Sequence, residues 1–314
     1  MELGLSVVPC LSPIKGFIDD LGCFTLRRWG PKGEHRPFTI PCRQCKFCRL
    51  KRSEEWAIRC LHESKMHKQN CFLTLTYAPE HLPKDGSLDY SDFQLFMKRL
   101  RKRFGAGIRF YMCGEYGDKT ARPHFHALIF GLDFPDKTHW RKSSKGFPLY
   151  RSKILEELWT KGHSEIGAVS FKTAGYCARY IMKKVTGKMA AFHYCEIDEE
   201  TGEVLRELHP EFSQMSRKPG IGRPWIEKYL SDVFPHDHVT VDGRERRVPR
   251  YYDKYFRDFC LNHNWQDCPG SYDEIVDDRA LDFMANSADL TPQRLAVLET
   301  ILDSKISRLV RPLD

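Results

Sequence analysis

Two strand-like segments joined by a short link constrain the fold of this chain more than any other feature. IRFYMC covers residues 108–113 and HFHALIF covers 124–130. The link is short enough for a β-hairpin, whose strands must run antiparallel. The rest of the pattern predicts two further strands and four helices, at 71–77 and 166–171, and at 51–67, 90–104, 151–161 and 173–185. This mixture predicts an α+β fold, an antiparallel sheet with helices on one face.

The chain of 314 residues is less regular outside these segments. Residues 1–40 are rich in glycine and proline and are predicted to form an irregular N-terminal arm. We expect one main domain over 41–235, and a mostly helical region of unknown role over 236–314. Within the main domain, EIDEETGEVLRELH has the turn chemistry of a hairpin at Thr201-Gly202.

The charges are unevenly distributed along the chain. Lysine and arginine number 50 against 42 acidic residues, which gives a net charge of +8. Between Phe93 and Phe110 there is no acidic residue, but there are six basic ones: Lys98, Arg99, Arg101, Lys102, Arg103 and Arg109. This segregation favours a surface that faces a polyanion, with nucleic acid as the first candidate. The alternative is that these charges only solvate helix faces.

Hydropathy argues against membrane and exported classes. No apolar stretch approaches the roughly 18 residues of a membrane span, and the opening MELGLSVVPC lacks the basic region and apolar core of a signal peptide. We therefore expect a cytoplasmic protein whose 12 cysteines are thiols or metal ligands rather than disulfides.

Three of these cysteines, Cys42, Cys45 and Cys48, follow C-x-x-C-x-x-C spacing. Zinc requires four tetrahedral ligands, so Cys23, His35 or Cys60 would have to complete the site. Two alternatives stay open: a reduced, partly buried set of thiols at a helix start, and an iron–sulfur cluster.

The strand 124–130 carries two histidines. Side chains alternate across a strand, so His124 and His126 share a face. Glu115 follows the neighbouring strand and would meet them in the hairpin. Two imidazoles and a carboxylate form a three-ligand site with open positions for a divalent ion, where the histidines favour Mn²⁺ and cellular abundance favours Mg²⁺. The alternative is a half-buried strand with two polar residues on its wet face.

The segment TAGYCARYIMKK brings two phenols together. Tyr176 and Tyr180 are four residues apart on a predicted helix and share its face, which Lys183 extends and Lys184 borders. A tyrosine nucleophile needs a nearby cation, because a free phenol has a pKa near 10. The alternative is a pair of tyrosines that anchor a core with their hydroxyls at its rim.

In combination these motifs resemble a known family. HFHALIF matches the His-hydrophobic-His motif of the HUH endonucleases, FLTLTY resembles their first-strand motif, and YCARYIMKK matches their two-tyrosine helix. PCRQCKFCRLKRSEEWAIRC and SRKPGIGRPW further resemble the rolling-circle replication initiators of the gokushovirus branch of the microviruses. The resemblance covers residues 40–230 in order and implies an HUH-type antiparallel sheet.

The resemblance implies an origin-specific endonuclease, or nickase, that cuts single-stranded or locally melted DNA and rejoins it to release circles. His124, His126 and Glu115 would hold the ion, and Tyr176 or Tyr180 would attack phosphorus and keep the 5′-phosphate, assisted by Lys183 or Lys184. The basic helix and two further arginines would contact DNA phosphates: Lys98, Arg99, Arg101, Lys102, Arg103, Arg122 and Arg179.

Two other classes compete with the initiator. A non-catalytic zinc-containing DNA-binding protein would leave the histidine and tyrosine pairs unexplained. A plasmid mobilisation relaxase shares the chemistry, but relaxases usually carry a third histidine and an N-terminal tyrosine. The chain has no G-x-x-x-x-G-K-[ST] phosphate loop for ATP, so we expect a host helicase and a host polymerase as partners.

Overall fold

A computed structural model describes most of the chain. It covers residues 10–18, 24–26, 36–117, 120–180, 184–187, 189–198, 200–263, 268–287 and 291–308. These residues form two compact units, one from 1–52 with 273–309 and one from 53–272. None of the described helices is long and apolar enough to cross a membrane.

The first unit contains a small antiparallel sheet and parts of three helices. Its elements are β1 (Ile14–Ile18), β2 (Phe24–Thr25), β3 (Arg36–Ile40), the first turns of α1 (Lys46–Lys65), α9 (Tyr272–Ser287) and α10 (Pro292–Ser307). The strands follow the order β2-β1-β3. The prediction of an irregular arm over 1–40 is therefore wrong for the described residues. Strands of two to five residues are too short for alternation to reveal them.

The second unit is built on one seven-stranded antiparallel sheet. Its strands are β4 (Asn70–Tyr77), β5 (Arg109–Tyr116), β6 (Pro123–Phe130), β7 (Thr138–Lys142), β8 (Pro148–Arg151), β9 (Gly162–Gly167) and β12 (Phe212–Met215). They follow the order β12-β5-β6-β4-β9-β8-β7. The predicted fold class and the central hairpin are confirmed. The strand predicted at 166–171 instead ends at Gly167, because Ser170 begins a helix.

Helices cover both faces of this sheet, so the expectation of helices on one face is wrong. On one face, Phe93 and Phe96 of α2 (Tyr90–Phe104) pack with Leu155 of α3 (Lys153–Leu158) against alternate residues of β4 and β6. On the other, Cys60 of α1 and Cys177 of α4 (Phe171–Arg179) pack against the intervening residues. We call these the α2 face and the α4 face.

The remaining elements of the second unit are short. They are α5 (Met189–Tyr194), β10 (Cys195–Ile197), β11 (Val204–Glu207), α6 (Arg223–Lys228), α7 (Leu230–Val233), β13 (His238–Val241), β14 (Arg244–Arg247) and α8 (Arg250–Asn262). The predicted hairpin turn at Thr201-Gly202 joins β10 and β11, and Gly202 has the positive φ of such a turn. The β13–β14 hairpin was not predicted, although its Asp242-Gly243 turn, with both φ values positive, is a standard hairpin signal.

Candidate active site

The β5–β6 hairpin aligns the acidic and imidazole side chains. Its register pairs Glu115 with His124 and Cys113 with His126. Directly paired residues of antiparallel strands lie on the same face, so all four side chains project to the α4 face. Thr74 of β4 pairs with His126 from the other side and was not recognised in the sequence, although alternation within FLTLTY puts it on this face.

The two histidines converge on one carboxylate oxygen. Nε2 of His124 lies 2.8 Å and Nε2 of His126 lies 2.9 Å from Oε1 of Glu115. Glu115 and His126 are buried, and His124 is half-buried. One ligand atom from each of the three residues lies within 4.8 Å of the others, so a single ion can contact all three.

The hydrogen bonds of His124 show that this donor set fits a cation. Its Nδ1 lies 3.1 Å from the carbonyl oxygen of Arg122, so in the neutral ring Nδ1 carries the proton and Nε2 carries a lone pair. That lone pair faces Oε1 of Glu115, which has only lone pairs of its own. The two repel unless a second proton or a metal ion lies between them. Two imidazole nitrogens and a carboxylate oxygen are suitable ligands for a divalent transition ion.

The outer nitrogens of both rings are anchored. His124 Nδ1 is held by Arg122 and His126 Nδ1 lies 3.1 Å from the hydroxyl oxygen of Thr74. Such contacts fix ring orientation and leave Nε2 to face the ion. Burial raises the pKa of Glu115, but hydrogen bonds with His124 and His126 outweigh it and lower the pKa to about 2, so the carboxylate is ionised at neutral pH.

Helix α4 brings both tyrosines onto this group. The ring of Tyr176 lies 5.1 Å from that of His126 and the ring of Tyr180 lies 5.4 Å from it, stacked nearly parallel. The two tyrosine rings are 4.8 Å apart. Both residues are buried. Burial raises the pKa of Tyr180, and the negative charge of Glu115 raises it further, so this side chain is a neutral phenol in the structure.

The tyrosine helix differs from its prediction at both ends. Ser170, not Thr173, is the N-cap: its hydroxyl accepts from the Thr173 N–H, and the Thr173 hydroxyl accepts from the Ser170 N–H, which completes a capping box. The helix ends at Arg179, and Tyr180 follows as its C-cap. Sequence periodicity overestimates such lengths, because it continues past the residue where the backbone leaves the helix.

The remaining predicted residues of this segment lie near the helix end or beyond it. Lys183 is outside the described residues. Lys184 is half-buried in the non-helical stretch 184–187. The half-buried Arg179 folds back along α4, where its guanidinium lies beside Gly175.

The predicted basic helix lies on the opposite side of the sheet from the tyrosines. Arg99 donates to the carbonyl oxygen of Leu158 at 2.9 Å and Arg101 to that of Ile108 at 2.9 Å. Arg103 forms an exposed ion pair with Glu157, while Lys98 and Lys102 are exposed. On the α4 side of the hairpin, Arg122 donates to the carbonyl oxygen of Tyr77 at 2.7 Å. The three bound arginines hold backbone in the folded chain.

The cysteine motif lies in the first unit. Cys42, Cys45 and Cys48 are grouped with Cys10, all half-buried. Cys10 was not considered as the fourth member. Of the residues that were, Cys60 is buried in the core of the second unit, and Cys23 and His35 lie outside the described residues.

Comparison with known proteins gives consistent matches. Residues 70–185 match the family model of the replication-associated proteins of the ORF2 type. The chain is 37% identical over 257 residues to the replication-associated protein VP4 of Bdellovibrio phage phiMH2K, across 79% of this chain and 77% of that protein.

Two further relatives carry similar names. The chain is 33% identical to the replication-associated protein ORF2 of Spiroplasma virus 4, across 73% of this chain and 69% of that protein. It is 31% identical to the replication-associated protein ORF4 of Chlamydia phage 1, across 70% and 54% respectively. No solved structure matches the chain. The resemblance indicated by the sequence motifs is confirmed by these relatives.

Proposed function

This chain belongs to the family of viral replication-associated proteins, and on that premise we propose that it initiates rolling-circle replication by nicking DNA at an origin. The substrate is single-stranded or locally melted DNA, because the reacting phosphate must reach a tyrosine that lies on a sheet face. The protein would work in the cytoplasm of an infected host, with a host helicase and polymerase for unwinding and synthesis.

One observation carries this proposal: both tyrosine rings contact His126, which is itself hydrogen-bonded to Glu115. A structural pair of tyrosines would not need a buried carboxylate and two histidines beside it. A binding protein would gain nothing from paired phenols next to a metal-ligand set. The arrangement suits phosphoryl transfer, where a nucleophile and a charge-stabilising group must act on one phosphate.

In the proposed reaction, a phenolic oxygen of Tyr176 or Tyr180 attacks the phosphorus of one phosphodiester. A tyrosine–phosphorus bond forms and the bond from phosphorus to the 3′-oxygen breaks. The phenol loses its proton, and the departing 3′-oxygen gains one. A divalent ion held by Glu115, His124 and His126, Mg²⁺ or Mn²⁺, would supply Lewis-acid polarisation of the phosphate.

The products of this step suit a replication initiator. The free 3′-hydroxyl primes synthesis, and the 5′-phosphotyrosine stores the energy of the cleaved bond for later rejoining without ATP. A second tyrosine, its ring 4.8 Å from the first, can cut the regenerated origin while the first is still occupied. The new 3′-hydroxyl then attacks the phosphotyrosine and releases a closed circle. Lys183 or Lys184 would stabilise whichever phenolate attacks.

A covalent-capture experiment tests the proposal. The full chain is incubated with Mn²⁺ and a pool of end-to-end closed single-stranded circles that carry random inserts and an internal label. We expect a labelled protein band that survives denaturing electrophoresis, and sequencing of the captured DNA should reveal one preferred site. The Tyr176→Phe/Tyr180→Phe double variant and a sample with chelator should give no such band.

The opposite result would also be clear. If the chain binds the circles tightly but never becomes labelled, it is a non-catalytic DNA-binding protein. A relaxase would also form the adduct, but the tyrosines would then be expected before the histidines in the chain, and here they follow them.

A further inference from the structure

The four thiols of the first unit lie close enough together to share one ion. Sγ of Cys10 lies 3.4 Å from Sγ of Cys42 and 3.8 Å from Sγ of Cys45. The sulfurs of Cys10, Cys42, Cys45 and Cys48 all lie within 4.8 Å of one another. Four thiolates at about 2.3 Å from a central zinc ion are separated by about 3.8 Å from each other in a tetrahedron. The observed spacing matches that arrangement.

Backbone donors are directed at the same sulfurs. The Cys42 N–H donates to Sγ of Cys10 at 3.2 Å. The N–H groups of Gln44 and Cys45 both donate to Sγ of Cys42, at 3.4 and 3.2 Å. Such donors stabilise a negatively charged sulfur, which is the form that binds a metal.

Local backbone geometry fixes the loop that carries three of the thiols. Arg43 has a φ of 60°, an uncommon conformation for a residue with a side chain. The side chain of Arg52, two turns into α1, donates to the carbonyl oxygen of Arg43 at 2.7 Å. This contact holds the tight turn between Cys42 and Cys45, just before α1 begins at Lys46.

We propose that Cys10, Cys42, Cys45 and Cys48 bind one Zn²⁺ in a closed tetrahedral site. With four protein ligands the site has no open position, so its role is structural rather than catalytic. The ion would fasten the chain at Cys10 to the start of α1, across 32 residues of sequence. Binding would release the thiol protons to solvent.

Two other fates of these thiols are less consistent with the geometry. A disulfide between Cys10 and Cys42 would leave the C-x-x-C pair without a function and is disfavoured in a reducing compartment. In an iron–sulfur cluster each thiolate binds its own iron atom, which spreads the sulfurs further apart than four ligands of a single ion.

Metal analysis of the full chain tests the proposal. The protein is made in a His124→Ala/His126→Ala background, so that ions at that group do not contribute, and is dialysed before elemental analysis. We expect one equivalent of zinc per chain. Cys10→Ser and Cys45→Ser should each lose it, whereas the matched control Cys195→Ser, a half-buried cysteine of the second unit, should keep it.

A second measurement does not depend on whether the variants fold. Zinc is stripped from the parent under reducing conditions and Co²⁺ is added. Thiolate-to-cobalt charge-transfer bands together with the visible bands of tetrahedral cobalt would support four sulfur ligands, and Zn²⁺ should displace them. Absence of retained zinc and of these bands, equal zinc in Cys10→Ser, iron in place of zinc, or a Cys10–Cys42 disulfide in the mass spectrum of the cytoplasmic protein would each overturn the proposal.

Discussion

At His124, one nitrogen has no proton to offer to the carboxylate that it faces. Its other nitrogen must donate to the Arg122 carbonyl, so the contact with Glu115 is repulsive unless a cation or a second proton intervenes. The imidazoles therefore serve as ligands more readily than as packing groups. Their removal should affect an ion-dependent step and leave contacts with DNA phosphates in place.

We expect His124→Ala and His126→Ala each to lower Mn²⁺-dependent adduct formation by more than about 100-fold, because loss even of a residue that only supports a ligand costs 10- to 100-fold. Affinity for single-stranded DNA, measured by fluorescence anisotropy without added metal, should be roughly unchanged. His81→Ala, an exposed histidine in the short helix after β4, is the control. Full adduct formation in the double alanine variant would contradict the assignment of these ligands.

The two tyrosines should differ from a single nucleophile in what their loss does. Either Tyr176→Phe or Tyr180→Phe alone should still allow a first cut, because the other phenol lies against the same His126 ring. Release of closed circles needs both and should fall to background. Tyr229→Phe, in the turn between α6 and α7, is the matched control. If Tyr176→Phe released circles through many rounds as the parent does, Tyr176 would be a packing residue.

At the scale of elements, the sequence predicted what depends on local periodicity. The strands β4, β5 and β6 and the helix α2 follow alternation or helical spacing over seven or more residues, and the short link between β5 and β6 fixed their pairing. The meeting of Glu115 with His124 followed from that hairpin alone. The side of the sheet on which each helix packs did not follow, since it depends on connections between distant strands.

Other elements were missed because their signals are short or come from far away in the chain. β1, β2 and β3 are too brief for a pattern, and α4 ended earlier than its periodicity suggested. Cys10 joins a cluster 32 residues away, and no local rule connects the two. The Asp242-Gly243 turn was readable but stood beside strands of only four residues.

A buried carboxylate joins α1 to two distant elements. Glu63 is ion-paired with Arg109 of β5 and accepts from the Gly222 N–H at 2.7 Å. Burial raises the pKa of Glu63, but hydrogen bonds with His67, Gly222 and Arg109 outweigh it and lower the pKa. A carboxyl with a depressed pKa in the folded state stabilises the fold above its usual range, and this contribution is lost as the pH falls toward the folded-state pKa.

We therefore expect Glu63→Gln to lower the free energy of unfolding by about 3–5 kcal/mol near neutral pH, because Arg109 loses its buried partner. The difference from the parent should shrink as the pH is lowered to about 4, where the unfolded carboxyl titrates. Urea unfolding at several pH values measures both effects. Glu157→Gln, which breaks the exposed pair with Arg103, should cost no more than about 1 kcal/mol. A pH-independent difference would mean that Glu63 acts through packing.

For the whole molecule, the excess of eight positive charges matters less than the face on which the charges lie. The exposed Lys98 and Lys102 belong to α2, across the sheet from the tyrosines. On the α4 side, Thr74 contacts His126 and pairs with Glu165 of β9, which is ion-paired at 2.9 Å with Arg141 of the edge strand β7. The edge of the sheet thus continues the face that carries the candidate active site.

This edge has the chemistry of a single-strand contact. Trp140 is half exposed, and the guanidinium of Arg151 lies 4.0 Å from its ring centre. All five residues of β7 are exposed. An exposed aromatic ring flanked by basic side chains provides a stacking platform for bases with phosphate contacts nearby. DNA that reaches the tyrosines along the α4 face would pass closer to β7 than to α2.

We expect Trp140→Ala to weaken binding of single-stranded DNA by about 5-fold or more, since stacking on an aromatic ring contributes about 1–3 kcal/mol per base. The salt dependence should not change, because no charge is removed. The reversal Lys98→Glu/Lys102→Glu should change affinity and slope little, as α2 lies across the sheet. Anisotropy titrations over a range of salt measure both quantities, with Trp140→Phe as the variant that retains a ring. If the double reversal flattened the log–log slope by about 1.4, at about 0.7 for each lost phosphate contact, while Trp140→Ala bound normally, DNA would lie along α2, and its path to the tyrosines would have to cross the edge of the sheet.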